Sequence, residues 1–287
     1  MTRYTITTDH KQIYNNIIVA WESHIRFKCQ DRKSMVIGLS GGVDSMLTAA
    51  LARVVVDRLG GIKLIGKCLG IESNPDAISR AMAVGESFCD ECTFSALDAG
   101  FQAYVREVWP KYDLHFRRDM PLTFEELIRR GNIKARFRMM YLFDMAHESR
   151  GIVVSTDNFT EYLLGFWTLH GDVGNFGPLQ FLWKSEVYGL SGYVRDMYAQ
   201  LNETRIVQTI QSCIDAVPTD DLGITESDLD QLGAPTYGDV DRMLIAFMHN
   251  KDVDENHPVI KRHLSSEFKR KDPVFIPRNV AVIGCTR

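Results

Sequence analysis

The chain has 287 residues, 45% hydrophobic and 24% charged, the composition of an ordinary soluble globular protein, and its length suits one large or two small domains whose core needs no staples. A formal charge of −4 argues against a general nucleic-acid binder, and no apolar run approaches the ~20 residues of a membrane span. The start, Met1-Thr-Arg-Tyr-Thr-Ile, lacks the apolar stretch of a secretory signal, so a cytoplasmic setting is expected. In chain order, Ile13, Ile17, Ile18, Trp21 and Ile25 recur at helical steps and predict an amphipathic helix over residues 14–27. Residues 35–39 read as a short buried strand, and an alanine- and leucine-rich helix over 46–58 is stopped by Gly60-Gly61. Residues 62–71 predict a second strand, 76–88 a helix and 92–97 a third strand. The stretch 99–127 is mixed, with Pro110 and Pro121 as breaks.

From Gly131 onward a long helix carrying Ile133, Phe137, Met140, Tyr141 and Asp144 is predicted to end near Gly151, where Gly151-Ile-Val-Val-Ser155 reads as another buried strand. A helix over 160–168, a glycine-rich loop over 171–177 and an amphipathic helix over 184–201 follow. Residues 215–237 are acidic and turn-rich and read mostly as loop, 240–247 and 257–267 as helices, and the end from Asp272 as extended or loose. Short strands alternating with helices predict an α/β fold, a Rossmann-like three-layer sandwich with a central parallel sheet and helices on both faces. Of the six cysteines, only Cys89-Asp-Glu-Cys92 has a metal-like or redox-like spacing. A zinc site needs a second ligand pair, and none is present, so reduced thiols are the expectation.

Ser40-Gly41-Gly42-Val43-Asp44-Ser45 lies between a predicted buried strand and a predicted helix. Two glycines permit a tight turn and close approach of a ligand, and the amides and dipole of a helix start stabilise an anion there. The hydroxyls of Ser40 and Ser45 can donate to phosphate oxygens. A carboxylate beside phosphate, Asp44, makes sense when a magnesium ion lies between them; its plain alternative is a residue of the helix start. The Gly-Lys-Ser/Thr ending of a Walker loop is absent.

This loop resembles the pyrophosphate-grasping loop of the N-type ATP pyrophosphatases, which include GMP synthetase, asparagine synthetase, tRNA-thiolating enzymes and NAD synthetase. Further segments resemble NAD synthetases in particular. Gly131-Asn-Ile-Lys-Ala-Arg136 is similar to their Gly-Asn-Val/Ile-Lys-Ala-Arg. It places three cations, Lys134, Arg136 and Arg138, at a predicted helix start, where cations need an anionic partner. Ser155-Thr156-Asp-Asn-Phe-Thr-Glu161 is similar to their Gly-Thr-Asp/Ser-x-x-x-Glu, and follows a predicted strand at the end where open α/β sheets bind ligands. Gly165-Phe-Trp-Thr-Leu-His-Gly-Asp-Val-Gly174, Pro178-Leu-Gln-Phe-Leu-Trp-Lys184, Pro218-Thr219, Leu232-Gly233 with Tyr237, Asp239 and Asp241, and Ser266-Glu-Phe-Lys-Arg270 continue the likeness in order.

The resemblance implies a single domain over 1–287 and an ATP-binding set of Gly38, Leu39, Ser40, Gly41, Gly42, Val43, Asp44, Ser45, Thr156, Lys184 and Thr219. It implies Asp44 and Glu161 as Mg²⁺ ligands, with Asp44, Lys184 and Glu161 as the catalytic group. Arg136, Asn132, Asp172, Asn175 and Lys269 would face the acceptor acid. The implied reaction adenylylates the carboxylate of deamido-NAD with ATP and replaces AMP by ammonia. It is carried out by a homodimer with no nucleic-acid or membrane partner, and a fused glutaminase does not fit the length.

Three acceptor positions depart from the pattern. The family's lysine in Thr-Lys-Tyr-Gly-Asp is Leu169, the histidine of its Glu-His-Lys-Arg is Phe268, and its aspartate after the glycine-rich loop has no match, with Asn175 nearby. The Leu-Pro-x-x-x-Gln segment that frames the adenine is Leu69-Gly-Ile-Glu-Ser-Asn74, and residues 219–235 are rearranged. Two alternatives therefore stand beside NAD synthesis: a related ligase acting on a different carboxylate, and a nucleotide-binding protein without catalysis.

Overall fold

The computed structural model describes residues 4–109, 122–171, 173–219 and 227–271. Four strands form one parallel sheet: β1 (Ser34–Gly38), β2 (Lys63–Gly70), β3 (Glu91–Ala96) and β4 (Gly151–Val154), in the spatial order β3-β2-β1-β4. Met35 pairs with Leu64 and with Ile152, and Val36 with Ile65 and with Val153. Parallel neighbours require crossovers, here carried by α2 (Val43–Leu59) between β1 and β2, by α3 (Pro75–Phe88) between β2 and β3, and by α4 (Asp98–Val108) and α5 (Phe124–Glu148) between β3 and β4, while α1 (His10–Lys28) precedes β1.

Alternation along β1 sorts the two faces. Met35 and Ile37 join a cluster with Trp21 of α1, Leu47 and Leu51 of α2, Phe88 of α3, and Val187 and Leu190 of α7 (Lys184–Gln200). Val36 points the other way, into a cluster with Ile65, Val153, and Met139, Leu142 and Ala146 of α5. This is the expected three-layer sandwich. A further cluster joins Phe159 and Leu163 of α6 (Phe159–Leu164) to Val240 and Leu244 of α10 (Tyr237–Met248) and Val259 of α11 (Pro258–Ser265). Among the described residues no helix is long and apolar enough to cross a membrane.

Several boundaries differ from the sequence reading. α5 begins at Phe124, with a capping box between Thr123 and Glu126. Lys134, Arg136 and Arg138 therefore lie well inside the helix rather than at its start, and the dipole argument for an anion there does not apply. α6 stops at Leu164 because Gly165 turns left-handed (φ 66°), and a Cβ there would come within 2.4 Å of Ser266. The mixed stretch contains α4, which buries Phe101 and Val105. α8 (Thr204–Ile214) is an additional helix with one buried edge of Thr209, Ile210 and Cys213. The segment read mostly as loop holds the short α9 (Asp228–Leu232), closed by Gly233 in the left-handed region. The expectations for Asp172 and for the chain end from Asp272 lie outside the described residues.

Cys29, Cys68, Cys89, Cys92 and Cys213 are free thiols. Burial, with Cys92 nearby, pushes the Cys89 thiol up to about 12, and burial also raises the Cys92 thiol, so the thiolate is disfavoured at both.

Candidate active site

The strand order places the turning point between β1 and β4, where crossovers leave the sheet in opposite directions. Open α/β sheets bind ligands outside the carboxyl ends of the strands at such a point. Two loops emerge there, residues 39–42 after β1 and 155–158 after β4.

The first loop begins with Gly38 at the end of β1 and Leu39, whose N–H donates to the Lys67 carbonyl (2.8 Å) and whose side chain is core. Gly41 has φ +80°, and its carbonyl accepts from Arg80 Nε at 3.0 Å. Ser40 and Ser45 face each other, Oγ to Oγ at 3.1 Å, and Ser45 Oγ also receives the Ser40 N–H (3.2 Å) and donates to the Gly42 carbonyl (3.2 Å). The two hydroxyls thus brace the turn from within. Gly42 is the N-cap of α2 and offers no capping side chain, so the start of this 17-residue helix, with Val43 and Asp44 as its first residues, lacks a side-chain cap. A Cβ on Gly41 would lie 2.3 Å from the Ala77 carbonyl oxygen of α3. Gly41→Ala is therefore expected to cost at least about 1–2 kcal/mol in left-handed strain alone, and to weaken nucleotide binding by shifting the loop. Denaturant unfolding with ATP titration checks this, and unchanged stability and affinity would refute it.

Asp44, Lys184 and Glu161 come together from three separate segments. Lys184 Nζ lies 2.5 Å from Asp44 Oδ2 and 2.8 Å from Glu161 Oε1. Lys184, the first residue of α7, is only 4% exposed. Burial alone would lower its ammonium, but the two carboxylates reverse this and hold it well above the usual lysine range. Burial also pushes the Glu161 carboxyl up, with the Asp44 charge adding to the rise and Lys184 opposing it, to about 7. Tyr237, its ring 5.4 Å from Lys184 Nζ, closes the site, and burial raises its phenol well above the ordinary value.

The surrounding residues hold this group in place. The fully buried Asp241 accepts from Thr160 Oγ1 (2.6 Å) and from the Ser185 N–H (2.9 Å). Thr160 Oγ1 in turn accepts from the Lys184 N–H (2.8 Å), which ties the start of α7 to α6. Asn158, at the N-cap of α6, donates to Asp44 Oδ1 (2.9 Å). The sequence does not single out Asn158 or Thr160 as site residues, although Asn158-x-x-Glu161 carries a capping-box pattern that points to the pairing of Asn158 with Glu161. Asp241 and Tyr237 belong to a segment that resembles the family, which assigns them no role.

Among the described residues no group of three or more His, Cys, Asp or Glu converges as a self-sufficient metal cage. Asp44 and Glu161 nonetheless direct one oxygen each at a single cation, the Lys184 ammonium. One or two carboxylates completed by substrate phosphates and water is the donor set magnesium takes in phosphate chemistry, so these residues fit that ion.

The residues expected on the acceptor side lie elsewhere. Arg136, halfway along α5, donates from Nε to the Leu169 carbonyl (3.1 Å). With Met139, Phe143, Trp167, Leu169 and Val173 it lines an open, largely apolar cavity of about 600 Å³. Asn132 Oδ1 accepts from Thr168 Oγ1 (2.7 Å). Lys269 donates to the carbonyls of Gly165 (2.6 Å) and Trp167 (2.5 Å), fastening the loop that carries Leu169. Asn175 turns its Oδ1 to the Val153 N–H of β4 (2.9 Å), and Phe268 is exposed. Lys134 does have an anionic partner, Glu72 at 3.1 Å, which also pairs with Arg130. Thr156 is half-buried just beyond β4, and Thr219 is exposed.

A parallel α/β sheet that places an uncapped helix start beside paired carboxylates at its turning point defines a nucleotide-binding fold of the phosphate-handling kind. Residues 17–273 match the NAD synthase family, and the chain belongs to it. It is 33% identical over 256 residues to an NH3-dependent NAD+ synthetase of Trichlorobacter lovleyi, covering 85% of this chain and 82% of that one. It is 28% identical over 280 residues to an NH3-dependent NAD+ synthetase of Fusobacterium nucleatum, covering 92% and 95%. An NMN synthetase of Francisella tularensis shares the fold with a TM-score of 0.72 at 24% identity, covering 94% of this chain and 99% of that one.

Proposed function

We propose that this protein is an ammonia-dependent NAD synthase that uses ATP to amidate the carboxylate of deamido-NAD. The observation that carries this reading is the convergence of Asp44, Lys184 and Glu161 beside the loop that opens α2. The family membership and the names of the curated relatives support it.

In the first step an acceptor carboxylate oxygen attacks the α-phosphorus of ATP. The bond to the β-phosphate oxygen breaks, and pyrophosphate leaves with the bonding pair. In the second, ammonia attacks the carbonyl of the acyl-adenylate. The carbon–oxygen bond to AMP breaks, and the nitrogen loses a proton. The amides of residues 41–45 and the Lys184 ammonium stabilise charge on the leaving pyrophosphate, the kind of fixed electrostatic help that lowers such barriers most. Asp44 and Glu161 would hold Mg²⁺, which when bound offsets triphosphate charge. Thr156 and Thr219 would serve the nucleotide. Arg136, Asn132, Asp172, Asn175 and Lys269 would serve the acceptor acid, with Arg136 suited to a carboxylate or phosphate through its planar fork. Two copies associate through apolar surface such as Met140 and Phe143 of α5, which are 62% and 40% exposed. The setting is the cytoplasm.

The test incubates the protein with ATP, Mg²⁺, ammonium and deamido-NAD and measures NAD and pyrophosphate in equal amounts. A parallel arm offers nicotinate mononucleotide, because Leu169 and Phe268 leave the acceptor side less charged than the family pattern. Faster turnover of the mononucleotide would overturn deamido-NAD as the acceptor. Nucleotide binding without pyrophosphate release on either acid would overturn the enzyme reading.

A further inference from the structure

Asn158 is fully buried and bonded at both ends of its amide. Its Oδ1 accepts from the Glu161 N–H at 3.0 Å, and its Nδ2 donates to Asp44 Oδ1 at 2.9 Å. The orientation of the amide is dictated by chemistry: a backbone N–H only donates and a carboxylate only accepts, so oxygen must face the helix and nitrogen must face Asp44. The Asn158 N–H also approaches Glu161 Oε2 (3.4 Å). The contacts close into a ring. Asp44 is held at Oδ1 by Asn158 and at Oδ2 by Lys184, and Glu161 is held at Oε1 by Lys184 and at Oε2 by the Asn158 backbone. Lys184 reaches the two carboxylates through a long side chain with several rotatable bonds. Asn158 has no such freedom, because its other end caps α6.

We propose that Asn158 is a positioning residue that fixes the Asp44 carboxylate, 114 residues away in the chain, in register with Glu161 so that the two present a preformed site for a divalent cation. Without the Nδ2 donor, Asp44 keeps, among the described residues, the Lys184 contact alone, and nothing else there would hold its side-chain torsions were that contact given up to a phosphate. The cap alone would be served as well by aspartate or serine, both good N-cap residues. Only asparagine among these supplies a cap acceptor and an amide donor in opposite directions.

That difference separates positioning from capping. Asn158→Ser keeps the cap and removes the donor. Asn158→Asp keeps the cap and sets a carboxylate oxygen against Asp44. Asn158→Ala removes both functions. Mn²⁺ serves as the probe, with its free concentration read by electron paramagnetic resonance in the presence of a non-hydrolysable ATP analogue. Melting temperatures are recorded alongside. Asn158→Ser is expected to bind Mn²⁺ about 10-fold more weakly or worse, in the range found when a group orienting a metal ligand is lost. Asn158→Asp should be weaker than wild type as well, and both should melt above Asn158→Ala. Wild-type Mn²⁺ affinity in Asn158→Ser and Asn158→Asp, with only the melting temperature of Asn158→Ala lowered, would overturn the proposal and leave a helix cap. The inference rests on the magnesium assignment of Asp44 and Glu161. Were Asp44→Ala to leave Mn²⁺ affinity unchanged, that assignment would fall and this proposal with it, an outcome distinct from a failure at Asn158 alone.

Discussion

Asp44→Ala is expected to lower acceptor-dependent pyrophosphate release by about 10³-fold or more, the upper range for removal of one electrostatic stabiliser of developing charge. The loss exceeds that of a single hydrogen bond because Asp44 serves two partners at once, Lys184 at 2.5 Å and the Asn158 amide at 2.9 Å. Its removal takes away one of two anionic oxygens from the cation position and leaves the Asn158 donor buried without its acceptor. The fold should survive, since Lys184 keeps Glu161 as counter-charge at 2.8 Å. Removing the Asp44 charge also relieves one of the causes that raise the Glu161 carboxyl. Pyrophosphate–ATP exchange measured beside the melting curve separates lost chemistry from lost structure. A folded Asp44→Ala protein with undiminished exchange would refute the role given to Asp44.

The second large effect concerns pH. Burial, with the Asp44 charge, raises the Glu161 carboxyl to about 7, so the folded protein retains a proton that an unfolded chain releases near the ordinary glutamate value of about 4.3. The stability Glu161 contributes is therefore fully present below that unfolded value and is lost as pH rises through about 7. Binding of a divalent cation runs in the opposite sense, because the ligand must be the carboxylate. The Mg²⁺ concentration for half-maximal activity should rise as pH falls below about 7, approaching about tenfold per pH unit, the limit for one displaced proton. Glu161→Gln should raise the Mg²⁺ requirement at every pH and flatten this dependence. A wild-type requirement that is level between about pH 6 and 8 would show that Glu161 is not a ligand whose proton must leave.

How much of this was legible beforehand depended on whether the determining interactions were local. The strands around Val36 and Val153 are continuous apolar runs buried on both faces, which is how parallel strands read. The turn at Gly41 and Gly42 announces itself through residues that only a tight, ligand-facing loop requires. The α5 start was misplaced because Gly131, a poor helix former, interrupts the pattern, while the capping box of Thr123 and Glu126 lies in a stretch that the nearby Pro121 made look broken. α8 is absent from the sequence reading, although Ile206, Ile210 and Cys213 or Ile214 repeat at helical steps. Asp44 stands out in its own glycine loop, and Glu161 and Lys184 through resemblance to known segments, whereas Asn158 and Thr160 act through partners 114 and 81 residues away, a distance no local pattern spans.

The pairing of β1 with β4 joins Ser34–Gly38 to Gly151–Val154 across more than a hundred intervening residues. Closing so long a loop costs chain entropy before any contact repays it, and such pairings slow folding. Asp44 stands just after one of these strands and Glu161 just after the other. A nascent or partly unfolded chain that has formed the β1–β2 unit with its glycine turn therefore still lacks the paired carboxylates. During refolding, tight binding of the metal–nucleotide complex should appear together with the β1–β4 ladder, so that a ligand added early stabilises only molecules that have completed it.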